Sequence, residues 1–362
     1  MEKRQRINER IVNWIKNKVE KEYADDISLV LVYGSYINGT ANDKSDVDCY
    51  YIPKTERGYQ FAATFIIDGV GYDIFPMSWE RVEGIADLNE FLTPLVGDVQ
   101  IIYSCDEKEK ERFRILQNKL KRNLLDDKYV KRIAKIRCEM ASELCSAMKA
   151  SHSACEIRKM AGTVIMLLAD AVAIYNHDYF HYGLKKQYEN LRDNFVEIPA
   201  EIINGYKDVI IAANADESVN CTMKMFSDVC EYLNLQIGIP KTCPKENAAV
   251  NNADASWLAE LYGEIISTFN KIYVCCENKN YILAFLSAVC LQRDLDDEAG
   301  CSFDLLGDFD YLHLDRLAEK TRKTENEFVQ LIEKNGGRIK KFESVEQFEM
   351  SLYSQKCKGL FG

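Results

Sequence analysis

The chain predicts an α+β fold, in which a mixed β-sheet flanked by helices is followed by α-helical bundle domains. Strand-forming segments crowd the first hundred residues, and long helical periodicity fills the remainder. The stretch Leu29 to Ile52 (LVLVYGSYINGTANDKSDVDCYYI) sets two apolar runs on either side of a polar, glycine-containing loop, the mark of paired strands.

Taken in order, Ile7, Ile11, Ile15 and Val19 recur every four residues, with Val12 beside them, and predict an amphipathic helix over residues 5–22. Leu29 to Tyr33 is β-branched and aromatic, as suits a buried strand, and a second strand carries Asp48. Phe61 to Ile67 and Val70 to Phe75 flank Asp68-Gly69, a dipeptide favoured in tight hairpin turns. Ser78 caps a helix holding Trp79, Val82 and Ile85, and Val99 to Tyr103 supplies one more strand. From Asp106 the texture turns helical. Glu107 to Leu125 is charged and amphipathic, Lys131 to Lys149 carries an apolar stripe, and Glu156 to Tyr175 is nearly apolar throughout. Val196-Glu197-Ile198-Pro199 interrupts the pattern, and further helices run to about Leu235. Lys241 to Ser256 reads as a linker. Trp257 to Cys276 and Tyr281 to Leu291 form a helical pair, and Leu314 to Lys334 is a charged helix ended by Gly336-Gly337. Three regions are therefore expected: 1–105, 106–240 and 257–362.

At 362 residues the chain can bury a large core. Its net charge of −11 argues against a nucleic-acid partner, because non-specific binding needs Lys and Arg to neutralise phosphates. Thirteen cysteines are scattered with no CxxC pair. With no secretion signal at the N-terminus, reduced thiols in a cytoplasmic protein are expected. The longest apolar run, Met160 to Ala169, meets Asp170 at once and is too short to cross a bilayer, so no membrane association is expected.

Asp46 and Asp48 carry the chemistry. Alternate side chains of a strand share a face, so the two carboxylates point one way while Val47 points inward. Adjacent like charges are tolerated mainly where a cation or proton relieves them. Mg²⁺ prefers carboxylate oxygens and leaves coordination sites for phosphates, which makes a metal–nucleotide site the first expectation.

Gly34-Ser35, the Asp46-x-Asp48 pair about ten residues on, and Asp73 on a later strand together resemble the DNA polymerase β-type nucleotidyltransferase superfamily. The helical region that follows resembles that of small antibiotic-modifying members, the kanamycin and lincosamide nucleotidyltransferases. The resemblance implies Mg²⁺-dependent transfer of a nucleoside monophosphate, AMP from ATP, onto a hydroxyl of a small molecule such as an aminoglycoside or lincosamide, and hence a role in antibiotic resistance. It implies two Mg²⁺ ions about 4 Å apart, bridged by Asp46 and Asp48, with Asp73 completing the shell of one. Gly34 would let the backbone approach the phosphates, and Ser35 would donate to them. A general base is implied on the Lys131–Lys149 helix, where Glu143 is preferred over Glu139. A homodimer is implied as well.

Two alternatives keep the fold. The acceptor could be a protein hydroxyl or another nucleotide, giving a protein adenylyltransferase or a nucleotide-signal synthase with 257–362 as its recognition module. A catalytically silent nucleotide-binding scaffold is the alternative of another class. Gly34 to Thr40 spells GxxxxGT but lacks the P-loop lysine, and Asp43 to Asp48 lacks the EF-hand glycine and closing glutamate. His177 and His181 are read as a helix end in preference to metal ligands, Asp170 as a satisfied core group in preference to a substrate-facing acid, and Lys185-Lys186 as a solvated face in preference to a phosphate contact.

Overall fold

A computed structural model describes residues 2–195, 197–240, 254–297, 299 and 303–351. The chain opens with α1 (Glu2–Lys18), whose last turn relaxes into a π-helical segment, Val19–Tyr23. β1 (Ile27–Tyr33) follows, then a 3-10 turn at Gly34–Tyr36 and β2 (Asp48–Pro53). β3 (Ala63–Ile67) and β4 (Val70–Pro76) form the expected hairpin. Its two-residue turn puts both Asp68 (φ 52) and Gly69 (φ 72) in left-handed backbone, and Ile67 pairs directly with Val70.

After α2 (Trp79–Ala86), capped by the Ser78 hydroxyl, come α3 (Pro94–Gly97) and β5 (Gln100–Ser104). The helical region comprises α4 (Glu107–Leu125), α5 (Asp127–Ala150), α6 (Ala154–Tyr175), α7 (Gln187–Asp193), α8 (Ala200–Ile211) and α9 (Ala215–Tyr232). Then follow α10 (Ala255–Glu277), α11 (Tyr281–Asp297), α12 (Leu314–Lys334) and a two-residue strand, β6 (Lys341–Phe342). Residues 241–253 of the expected linker lie outside the described residues, as does Val196 of the expected break. Asp254, at the end of that linker, caps α10 by accepting from the Ser256 and Trp257 amides.

The class is α+β, built on one mixed six-stranded sheet of order β5-β1-β2-β4-β3-β6. β2 runs parallel to β4, and β3 parallel to β6; the other neighbours are antiparallel. Strand alternation divides the sheet's side chains between two cores. Val30, Val32, Cys49 and Tyr51 pack with α1 on one face, while Leu29, Leu31, Tyr50 and Ile52 pack with α2 and the first half of α5 on the other.

The residues from 257 onward do not stand apart from the sheet. α10 lies across β3 and β4, close enough that a Cβ on Gly71 would meet the Gly263 carbonyl at 2.4 Å. β6 extends the sheet beyond β3, and Val345 and Phe348 complete the α1-side core. The bundle core of α5, α6, α8, α9, α10 and α11 reaches the sheet through Ile66.

Candidate active site

Asp48 opens β2, and the register that pairs Cys49 with Ile74 sets Asp48 beside Asp73 on the adjacent parallel strand. Neighbouring strands lie about 4.8 Å apart, so the two acids occupy the same face at one end of the sheet. Asp46 lies in the loop just before β2 rather than within a strand. Val47 is buried between the two acids. All three carboxylates are partly buried.

Burial is the first cause of an unusual charge state at each acid. Burial and then the neighbouring Asp48 charge push the Asp46 carboxyl well above the usual carboxylate range, with Asp73 adding to the repulsion. Asp48 is raised by burial against the opposing pull of Lys271, the Ser35 amide and Lys185. Burial lifts Asp73 from 3.8 to about 6, although the Thr64 hydroxyl donates to it at 3.0 Å and moderates the rise. Tyr33, at the end of β1, has its hydroxyl raised by burial and by the charges of all three aspartates, which places it among them.

Gly34 is constrained by Asp48. With φ at +71°, a Cβ there would sit 2.1 Å from an Asp48 carboxylate oxygen. The space that a bare Cα leaves is therefore taken by Asp48 itself, and the next residue, Ser35, turns its amide N–H onto that carboxylate. Gly34 and Ser35 are built around the acid.

The charges of two lysines act on the acids, and of these Lys271 was not legible in the sequence. Lys185 departs from the expected solvated face: it is partly buried and donates to the Thr40 carbonyl at 2.7 Å in the loop before Asp46. Burial first, then the charges of Lys271 and Lys186, lowers its pKa. Lys186 does face solvent, over the Tyr182 ring. Lys271 stands on α10, next to Asn270, which anchors that helix by donating to the Gly69 carbonyl of the β3–β4 turn at 2.9 Å. The Lys271 charge bears on Asp46, Asp48 and Lys185 alike. No motif announces Lys271, because its nearness to Asp48 arises from a chain crossing over more than a hundred residues.

Glu143 differs from the three partly buried aspartates in its exposure. It is exposed on α5, ten residues beyond Ile133, the last α5 side chain fully buried against the sheet. Ten residues of helix span about 15 Å, and Glu143 lies in the half of α5 that packs into the bundle with α6 and α9. Glu139 pairs with Lys135 instead.

The other sequence readings resolve structurally. Asp170 is buried and accepts from Arg137 Nε at 2.7 Å, while Arg137 Nη2 donates to the Leu88 carbonyl at 2.6 Å. His177 contacts the Leu124 carbonyl, and His181 lies between Asp98 and Asp178, so the two histidines do not converge. Each described cysteine is a free thiol, and most are buried. Among the described residues no helix is long and apolar enough to cross a membrane.

No protein-family model matches the chain, and no curated protein matches it. The site is therefore read from its own chemistry. Among the described residues no three acid, cysteine or histidine side chains close into a finished metal cage. The donor set nonetheless suits a hard divalent cation: two carboxylates on adjacent strands and a third in the loop before them, each raised by burial and Asp46 also by the charges of the other two, gain from a positive charge set among them.

Proposed function

We propose that the protein is a Mg²⁺-dependent nucleotidyltransferase that moves a nucleoside monophosphate, AMP from ATP, onto the hydroxyl of a small molecule. The observation that carries this reading is the side-by-side placement of Asp48 and Asp73 on parallel strands, with Asp46 two residues before Asp48 and the charges of Lys185 and Lys271 acting on Asp48. Asp46 and Asp48 would hold bound Mg²⁺, with Asp73 as the further ligand. Bound metal would neutralise charge on the attacking and leaving oxygens.

The remaining steps belong to the chain. Lys271 and Lys185 would meet the β- and γ-phosphates, whose negative charge offsets the mutual repulsion of the two ammonium groups. The acceptor hydroxyl would attack the α-phosphorus in line and release its proton to solvent, the bond from the α-phosphorus to the bridging oxygen would break, and pyrophosphate would depart. Thr64 holds Asp73 in place by its hydrogen bond. An acidic chain suits a cationic acceptor such as an aminoglycoside, with lincosamides as the other class put forward by the sequence resemblance.

The test is pyrophosphate release from ATP and Mg²⁺ across a panel of hydroxylated acceptors, with Asp48→Asn beside the parent. Acceptor-dependent release that Asp48→Asn abolishes supports the reading. Label transferred to a protein in a lysate, with no small acceptor active, shifts it to protein adenylylation. ATP binding with no release under any condition leaves a silent scaffold.

A further inference from the structure

We propose that Asn8 and Tyr72 form a buried spacer that fixes Asp46 relative to Asp73. Asp46 has no strand ladder to hold it, since β2 begins only at Asp48. Its backbone carbonyl, and that of Ser45, instead accept from the two hydrogens of Asn8 Nδ2, each at 3.2 Å. The amide oxygen of Asn8 in turn accepts from the Tyr72 hydroxyl at 2.6 Å. Tyr72 is the residue before Asp73, so one side-chain bridge joins the backbone of one acid to the strand that carries another.

The bridge is stiff. Asn8 and Tyr72 are each 1% exposed, and the Tyr72 ring stacks on Phe65 at 5.5 Å. Arg4, one helical turn before Asn8, donates to the Tyr72 oxygen at 3.2 Å and to the Asp43 carbonyl at 3.0 Å. Three carbonyls of the loop, those of Asp43, Ser45 and Asp46, are thereby held by two buried side chains of α1. Nothing about the α1 core requires a polar stripe there. Apolar residues at positions 4 and 8 would continue the face of Ile7, Ile11 and Ile15 but would leave those carbonyls unmet. Neither Asn8 nor Tyr72 touches the reacting groups in this arrangement. They are positioning residues, and the inference rests on the three aspartates being a metal site.

The test is Mn²⁺ binding followed by electron paramagnetic resonance, with and without ATP, in the parent, Asn8→Ala and Tyr72→Phe. Tyr72→Phe keeps the ring on Phe65 and provides a folded variant should Asn8→Ala unfold. Asp170→Ala serves as a control that weakens the fold at a site remote from these acids. A weakening of Mn²⁺ affinity by about 10-fold or more, the usual effect of losing a group that orients metal ligands, is expected in both spacer variants. No such weakening is expected in Asp170→Ala. Parent-like affinity in a folded Tyr72→Phe overturns the spacer while leaving the metal site standing. Absence of Mn²⁺ binding in the parent overturns both.

Discussion

Replacing Asp73 by Asn separates a metal ligand from a structural acid, because the two roles predict opposite signs. In the unliganded protein Asp73 is raised from 3.8 to about 6, chiefly by burial. Each pKa unit corresponds to about 1.4 kcal/mol, so keeping this carboxylate ionised costs the fold about 3 kcal/mol at neutral pH. Asparagine removes the charge while its carbonyl can still accept from the Thr64 hydroxyl. A chain of 362 residues has an unfolding entropy for which 3 kcal/mol corresponds to about 4 °C. Unliganded Asp73→Asn is therefore expected to melt up to about 4 °C above the parent. The difference is absent below pH 3.8, where both folded and unfolded Asp73 are protonated, and develops as pH rises through about 6.

Ligand should act the other way. At a hundredfold excess over its dissociation constant, Mg²⁺ with ATP stabilises the parent by about 2.7 kcal/mol, and Asp73→Asn should lose most of that rise. Differential scanning calorimetry at pH 5 and pH 7.5, with and without Mg²⁺ and ATP, reads both effects. A variant less stable than the parent without ligand, or one that keeps the full ligand-induced rise, would refute the reasoning.

Gly34→Ala should lose activity and stability together, since its Cβ would displace the Asp48 carboxylate from a backbone already at φ +71°; kinetics and chemical denaturation check it. Lys271→Ala should weaken ATP binding measured by calorimetry while leaving Mn²⁺ binding in place, as it removes a positive charge acting on Asp48 that the proposed function assigns to the phosphates, and removes no proposed metal ligand. Asp170→Ala strands the buried Arg137 guanidinium and should destabilise by about 3–5 kcal/mol, read from urea midpoints, whereas Asp170→Ala with Arg137→Met should recover part of it. His181, raised to about 10 by Asp178 and Asp98, contributes stability that is fully present below pH 6.5 and is lost as pH rises toward 10. His181→Gln should flatten the parent's decline in melting temperature across that window.

The strands and helices were largely readable because their signals are local. The Asp68-Gly69 turn follows from two residues that accept positive φ, and the Leu314–Lys334 helix from an uninterrupted amphipathic stripe before Gly336. The nearness of Asp48 to Asp73 was readable because the two fall in a strand–loop–strand segment and the hairpin that follows it. Asp46 was expected within a strand that in fact begins two residues later, since the periodic pattern does not reveal that Asn8 takes the carbonyl a neighbouring strand would otherwise bind. Lys271 and β6 were hidden for a common reason. Their part depends on where α10 and the segment after α12 return, and no short-range pattern encodes a crossing between positions 48 and 271 or between 66 and 341.

That return has a consequence for synthesis. A chain growing from its N-terminus has β3 in hand early, yet β3 lacks its outer neighbour until Lys341–Phe342 emerges. During this interval the backbone groups of Ile66 and Asp68, which finally pair with Lys340 and Phe342, face outward as an open edge able to join another chain. Lys271 is likewise missing from the acids until most of the protein has been made. Translation therefore passes through a long stage in which the aspartates exist without their lysine and the sheet without its last border. Slow release or truncation before residue 341 should appear first as aggregation, with loss of activity following from it.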